Sequence, residues 1–269
     1  MMNDFTPSTY PELNNVLQEL ISSLKAILEE EFLGAYLQGS FALGDYDRHS
    51  DVDFVIVTES ELTDNHVLPL QVMHAHIFKL DSTWAQHLDG SYFPKGALRN
   101  PPEPGKKLWY LDNGSSELVK STHCNTLVVR WVVREHGITL AGPSPKTLVD
   151  PLPVDKLHDE IREVISEWGE EIICNPERFN NRFYQSFIVL SYCRMLHDLQ
   201  TGSIGSKRTG AEWAKTHLDL SWRGLIDRTW DARPNPEVTS RQPADAGDFE
   251  KTLEFVRYAI ELSKKDMPA

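Results

Sequence analysis

The sequence predicts an α/β half followed by an all-helical half. Three observations predict it. A short β-branched run, "DVDFVIVT", follows a Gly-Ser turn within residues 37–58 ("LQGSFALGDYDRHSDVDFVIVT"). A passage dense in Pro, residues 143–153, offers a domain boundary. Beyond it, apolar residues recur only at helical spacing. Two domains are expected, 1–153 and 154–269.

The elements justify themselves in order. Residues 11–32 read as a helix, because Leu13, Val16, Leu17, Leu20, Ile21, Leu24, Ile27 and Leu28 share one face. Gly34 is expected to end it, with "AYLQ" as a strand. Gly39 turns the chain, and Ser40 can cap a short helix. "DVDFVIVT" is then a buried strand, with "QVMHAHIFKL" and "GSYFPK" as further strands. His74 and His76 would share one strand face; lacking a third ligand, they read as packed or hydrogen-bonded rather than metal-binding. Residues 101–114 ("PPEPGKKLWYLDNG") read as a loop and 127–136 as a helix. In the second half, helices are expected over 154–173, 181–200, 210–217, 221–232 and 248–264. Trp131, Trp168, Trp213 and Trp222 fall in helical patterns and are expected in the core.

Composition narrows the class. The 269 residues are 40% hydrophobic and 25% charged, as in a globular protein. Three widely spaced cysteines without CxxC spacing fit a reducing cytoplasm and argue against a disulfide framework or a zinc cluster. No secretory signal or membrane span is read. The formal charge of −13 disfavours nucleic acid and favours a cationic partner.

Asp51 and Asp53 carry the chemistry. Residues two apart on a strand face the same way, so these carboxylates project together. Such a pair is unfavourable without a cation, and Mg²⁺ suits oxygen ligands completed by phosphate. Ten residues separate Asp51 from Gly39-Ser40, whose turn permits close backbone approach to a phosphate. The plain alternative is a pair of solvated strand-entry acids. Asp45 and Asp47 lie in the intervening loop, where solvated acids are ordinary.

The stretch "GSFALGDYDRHSDVDFVIV" resembles the signature of the DNA polymerase β-type nucleotidyltransferase superfamily. "REHGITLAGPSPKTLVDPLP" and "TGSIGSKRTGAEWAKTHL" resemble the junction and helical domain of the aminoglycoside adenylyltransferases that modify streptomycin and spectinomycin. The resemblance implies a nucleotidyltransferase domain with a mixed sheet, followed by a helical bundle. It implies transfer of AMP from ATP, with Mg²⁺, to a hydroxyl of a small cationic acceptor by a cytoplasmic monomer. ATP is expected in a cleft between the halves. Asp51 and Asp53 match the metal ligands. Asp89, in "HLDGSYFPK", stands where the relatives have a Glu acting as third metal ligand or base. It is one methylene shorter, and it could instead be only a turn residue before the strand. Ser40 and Ser50 match phosphate-contacting serines. Arg194 and Lys207 match basic residues reaching the triphosphate, and Trp230 matches a Tyr near the adenine; surface or core roles are the alternatives for these three. Tyr184 and Phe187 replace polar drug-binding side chains, which leaves one rival reading, an adenylyltransferase of another metabolite or protein hydroxyl; Asp in place of Glu at position 89 leaves a second, a non-catalytic nucleotide-binding module. Glu170, Glu171, Glu177 and Trp109 could supply other acceptor contacts.

Overall fold

The computed structural model describes residues 6–233 and 242–265. The chain divides into two compact units, Met1–Leu152 and Pro153–Ala269.

The first unit is built on a six-stranded sheet in the order β5-β4-β3-β2-β1-β6. The strands are β1 Phe32–Leu37, β2 Val52–Thr58, β3 Leu88–Pro94, β4 Leu108–Leu111, β5 Leu118–Ser121 and β6 Ile138–Ala141. Among the described residues β2 and β3 form the parallel pair, with Asp53 opposite Asp89; the other pairings are antiparallel. Alternation along the strands sorts the core into two layers. Ala35, Leu37, Val52, Phe54 and Ile56 pack with helices α1 (Pro11–Leu28) and, after the four-residue α2 (Gly39–Ala42), α3 (Asp64–Ile77). Tyr36, Val55, Val57 and Phe93 pack on the other side with α4 (Lys95–Arg99) and α5 (Leu127–His136). The odd-numbered positions of β2, and therefore Asp53, belong to this second side, and Asp51 directly precedes the strand.

Five expectations are corrected. The first helix stops at Leu28 rather than Phe32, because Glu29 adopts φ 47° and the run Glu29–Glu31 tightens into a 3₁₀ turn. Three like charges at a helix C-terminus oppose its dipole. Gly34 lies inside β1, where a Cβ would run into the Tyr36 hydroxyl and the Ala141 carbonyl. "QVMHAHIFKL" is mostly helix, not strand: Leu70, Met73, His74 and Ile77 are the buried positions, at helical spacing, and Thr63 with His66 forms a capping box. His74 and His76 therefore share no strand face; His74 is buried, with Nε2 2.6 Å from the Tyr92 hydroxyl, and His76 is exposed. Residues 101–114 contain β4, whose "LWYL" is short but pairs on both edges. Lastly, Trp131, Trp168, Trp213 and Trp222 are only half-buried, whereas Trp84, at 8% exposure, is a core residue.

Arg130 ties α5 to the chain around α4. It is 1% exposed, and its guanidinium donates to the carbonyls of Asn100 (3.0 Å), Thr126 (2.8 Å) and Ala97 (2.7 Å) and to Asn125 Oδ1 (2.7 Å). It also lies over the Phe93 ring at 5.3 Å.

The second unit is helical: α6 Val154–Cys174, α7 Pro176–Phe179, α8 Arg182–Thr201, α9 Lys207–His217, α10 Arg223–Asp231 and α11 Ala246–Ser263. Helix α8 is buried on most of its circumference and forms the centre of this unit. Gly210 lets α9 approach it: a Cβ there would collide with the backbone of Cys193 and Arg194. Among the described residues no helix is long and apolar enough to cross a membrane.

Replacing Arg130 by Met should strand those carbonyls without a donor, at about 3–5 kcal/mol. Urea unfolding of Arg130→Met against wild type measures it; a loss below about 1 kcal/mol contradicts the role given to Arg130.

Candidate active site

The site grows from the register of two strands. In-register residues on neighbouring strands are about 4.8 Å apart, so Asp53 and Asp89 point side by side from the same face. Gly39 abuts this pair. Its φ is +57°, and a Cβ would overlap the Asp53 carboxylate, so glycine is required both by backbone conformation and by space. The Gln38 N–H donates to the Asp53 carbonyl at 2.9 Å, which locks the turn onto β2.

The loop between turn and strand is tied locally. Asp47 Oδ1 accepts from the His49 N–H at 2.8 Å, and Ser50 Oγ accepts from the Asp47 N–H at 2.9 Å. Ser50 thus closes a tight turn directly before Asp51. Ser40 is half-buried in α2.

Asp89 is 9% exposed. Its Oδ2 accepts from the Tyr110 hydroxyl at 3.0 Å and from the Asn113 N–H at 3.3 Å. Burial, and then the negative charges of Asp51 and Asp112, push its carboxyl up to about 7, against the pull of the Tyr110 and Asn113 hydrogen bonds. The same surroundings drive Tyr110 upward, by burial first and Asp89 next, so it remains a hydroxyl donor. Tyr110 also donates to Asp112 Oδ1 at 3.0 Å, and one O–H cannot serve both carboxylates at full strength. Asp51 Oδ1 accepts from Asn113 Nδ2 at 2.6 Å. Cys124 is buried behind the carboxylates; burial and then Asp89 push its thiol up, so it stays protonated.

Asp112 and Asn113 were not legible as site residues, since "LWYLDNG" reads as part of a loop, and Tyr110 belongs to the "KKLWY" aromatics, whose place at a pocket the sequence leaves open. The available signal was an aromatic, β-prone "LWYL" before an Asp-Asn-Gly turn.

The structure thus brings Asp51, Asp53, Asp89 and Gly39 together. Among the described residues no three His, Cys, Asp or Glu side chains form a group able to hold a metal by themselves. That is compatible with Mg²⁺, which is held by one or two carboxylates with substrate phosphates and retained waters rather than in an all-protein cage. Burial raises Asp89 most, and the repulsion from Asp51 and Asp112 that adds to it is relieved by a divalent cation, so the oxygen donors fit.

In the helical unit, Lys207 opens α9 behind the N-cap Ser206, and its Nζ lies 4.3 Å from the centre of the Phe187 ring. Arg194 is half-buried on α8. Trp230 is flanked by the guanidiniums of Arg208 (5.3 Å) and Arg233 (4.9 Å). Phe187 stacks on Phe183 and meets Trp168 edge-on, while Tyr184 packs on Phe179. Of the other candidate contacts, Glu171 pairs with Arg178, and Trp109 lies under Lys120.

Comparison with known proteins finds two family models and several relatives. Residues 20–88 match the family model of the nucleotidyltransferase domain, and residues 147–261 match that of the aminoglycoside adenylyltransferase C-terminal domain. One of these two models thus matches within each half of the chain. An aminoglycoside (3'') (9) adenylyltransferase of Shigella flexneri is 21% identical, over 93% of this chain and 95% of its own length. A spectinomycin 9-adenylyltransferase of Staphylococcus aureus is 24% identical, over 81% and 88%. The crystal structure of a spectinomycin adenyltransferase from Enterococcus faecialis with ATP and spectinomycin superposes with a TM-score of 0.71 at 16% identity, covering 93% of this chain and 99% of that one. It shares the fold of this chain. The first match contains Asp51 and Asp53 and stops one residue before Asp89, while the second contains Arg194, Lys207 and Trp230.

Because Asp89 holds its proton more tightly when folded than the ordinary carboxyl value of about 4, its contribution to stability is full below that value. It is lost as pH rises through about 7. Asp89→Asn should therefore melt a few degrees above wild type at pH 8, without added divalent cation, and show no such gain at pH 4. Melting curves across that range check this; a gain of the same size at both ends contradicts it.

Proposed function

We propose that this chain transfers the adenylyl group of ATP to a hydroxyl of a small cationic acceptor of the aminoglycoside or aminocyclitol class. The observation that carries the reading is the in-register placement of Asp53 and Asp89 beside Asp51 and the Gly39 turn. The names of the similar proteins and the net charge of −13 support the acceptor class.

Each residue then has a part. Gly39 and Ser40 bring backbone close to the phosphates, with Ser50 fixing the turn that leads into Asp51. Asp51 and Asp53, with Asp89 as third oxygen donor, would hold Mg²⁺. Bound there, the ion would offset the negative charge of the phosphates and of the carboxylates themselves. Asp89 takes the proton from the acceptor hydroxyl, whose oxygen attacks the α-phosphorus as pyrophosphate departs. Arg194 and Lys207 serve the triphosphate, and Trp230 the base.

One observation favours a second acceptor. Phe183, Phe187 and Trp168 form an aromatic cluster beside Tyr184, a less polar surface than a polycationic drug prefers, and it suits another metabolite hydroxyl.

Pyrophosphate release from ATP with a panel of aminocyclitols and unrelated alcohols tests both. Release with streptomycin or spectinomycin is expected, and release only with unrelated acceptors transfers the proposal to the second reading. Asp51→Asn should lower turnover at least ~100-fold while leaving the melting profile folded; retention of full activity with Mg²⁺ removes the metal assignment. Acceptor affinity should also fall as salt rises from ~0.05 to ~0.5 M, through screening of the acidic surface. Isothermal titration at both concentrations reads that change.

A further inference from the structure

Asn113 sits on the turn after β4, outside both strands that carry the carboxylates, and contacts both of them. Its Nδ2 donates to Asp51 Oδ1 at 2.6 Å, and its backbone N–H donates to Asp89 Oδ2 at 3.3 Å. The amide is itself oriented: Asn113 Oδ1 lies 2.8 Å from His87 Nδ1, the Nδ1–H tautomer donating. The turn is fixed at the same place, since the Gly114 N–H donates to the Gln86 carbonyl at 3.0 Å and Gly114 takes φ 76°. The His87 carbonyl in turn accepts from the Val52 N–H at 2.8 Å, on the residue next to Asp51. One short network therefore runs from His87 through Asn113 to Asp51 and Asp89.

We propose that Asn113 is a positioning residue that clasps Asp51 and Asp89 together, with His87 setting its amide, so that the two carboxylates present oxygens to one divalent cation. This rests on the reading of Asp51 and Asp89 as ligands in nucleotidyl transfer. The physical reason is the mutual repulsion of the two acids, which would splay them in the absence of cation. A donor to each, supplied from one residue, opposes that. Outer donors of this type commonly change metal affinity or activity by about 10- to 100-fold.

The test is Mn²⁺ binding to the whole chain without ATP, followed by electron paramagnetic resonance, alongside steady-state kinetics. Asn113→Ala should weaken Mn²⁺ about 10-fold and lower kcat about 10- to 100-fold, with KM for ATP within about twofold. His87→Ala, which leaves the turn intact, should shift both in the same direction by a few-fold, and it decides the matter if Asn113→Ala fails to fold. Asn113→Asp keeps the shape of the turn but loses the donor. A merely structural role is rescued by it; a clasp is not, and kcat stays low. Wild-type Mn²⁺ affinity in Asn113→Ala, or wild-type kcat in Asn113→Asp, overturns the clasp while weak binding in Asp51→Asn keeps the metal reading standing. Mn²⁺ binding by Asp51→Asn equal to wild type brings down the metal reading, and the clasp with it.

Discussion

The parallel pairing of β2 with β3 is the constraint on which the candidate site depends. A parallel neighbour puts both strand starts at the same end of the sheet, so acids near those starts become neighbours in space. Thirty-five residues of chain, including α3, lie between Asp53 and Asp89, yet register brings them level. A slip of one residue would turn Asp89 to the opposite layer, among Leu88 and Tyr92. The apolar alternation that buries Val55, Val57 and Phe93 on one side is therefore also what fixes the acids on that side.

Electrostatics in this corner is a balance and not a simple attraction. Burial and two neighbouring acids work against the charge on Asp89, while a phenol and a backbone amide work for it. The outcome is a carboxyl that changes state near neutrality. A longer Glu could reach away from Asp51; the shorter Asp stays within the network of Tyr110 and Asn113.

Much of this was legible in the sequence, for physical reasons that differ by element. The strand carrying Asp51 and Asp53 is a β-branched run with a Gly turn ahead of it, and both signals are local. The long helices of the second unit were legible because their apolar residues recur at helical spacing, α6 on one stripe and α8 on most of its circumference. Residues 71–80 misled because a run of apolar and His residues admits two periods, and the deciding signal, the cap at Thr63, lies several residues upstream. Tyr110 and Asn113 were hidden for another reason: their importance comes from β4 pairing with β3, a contact that no local pattern encodes.

Arg130 has a consequence for how the first unit assembles. A guanidinium cannot leave water by halves: each carbonyl it lacks leaves a charged donor dehydrated and unpaired. The acceptors come from three places in the chain, Ala97, Asn100 and the stretch from Asn125 to Thr126. Arrangements with only some of them in place are disfavoured, so these three places hold together as one cooperative unit.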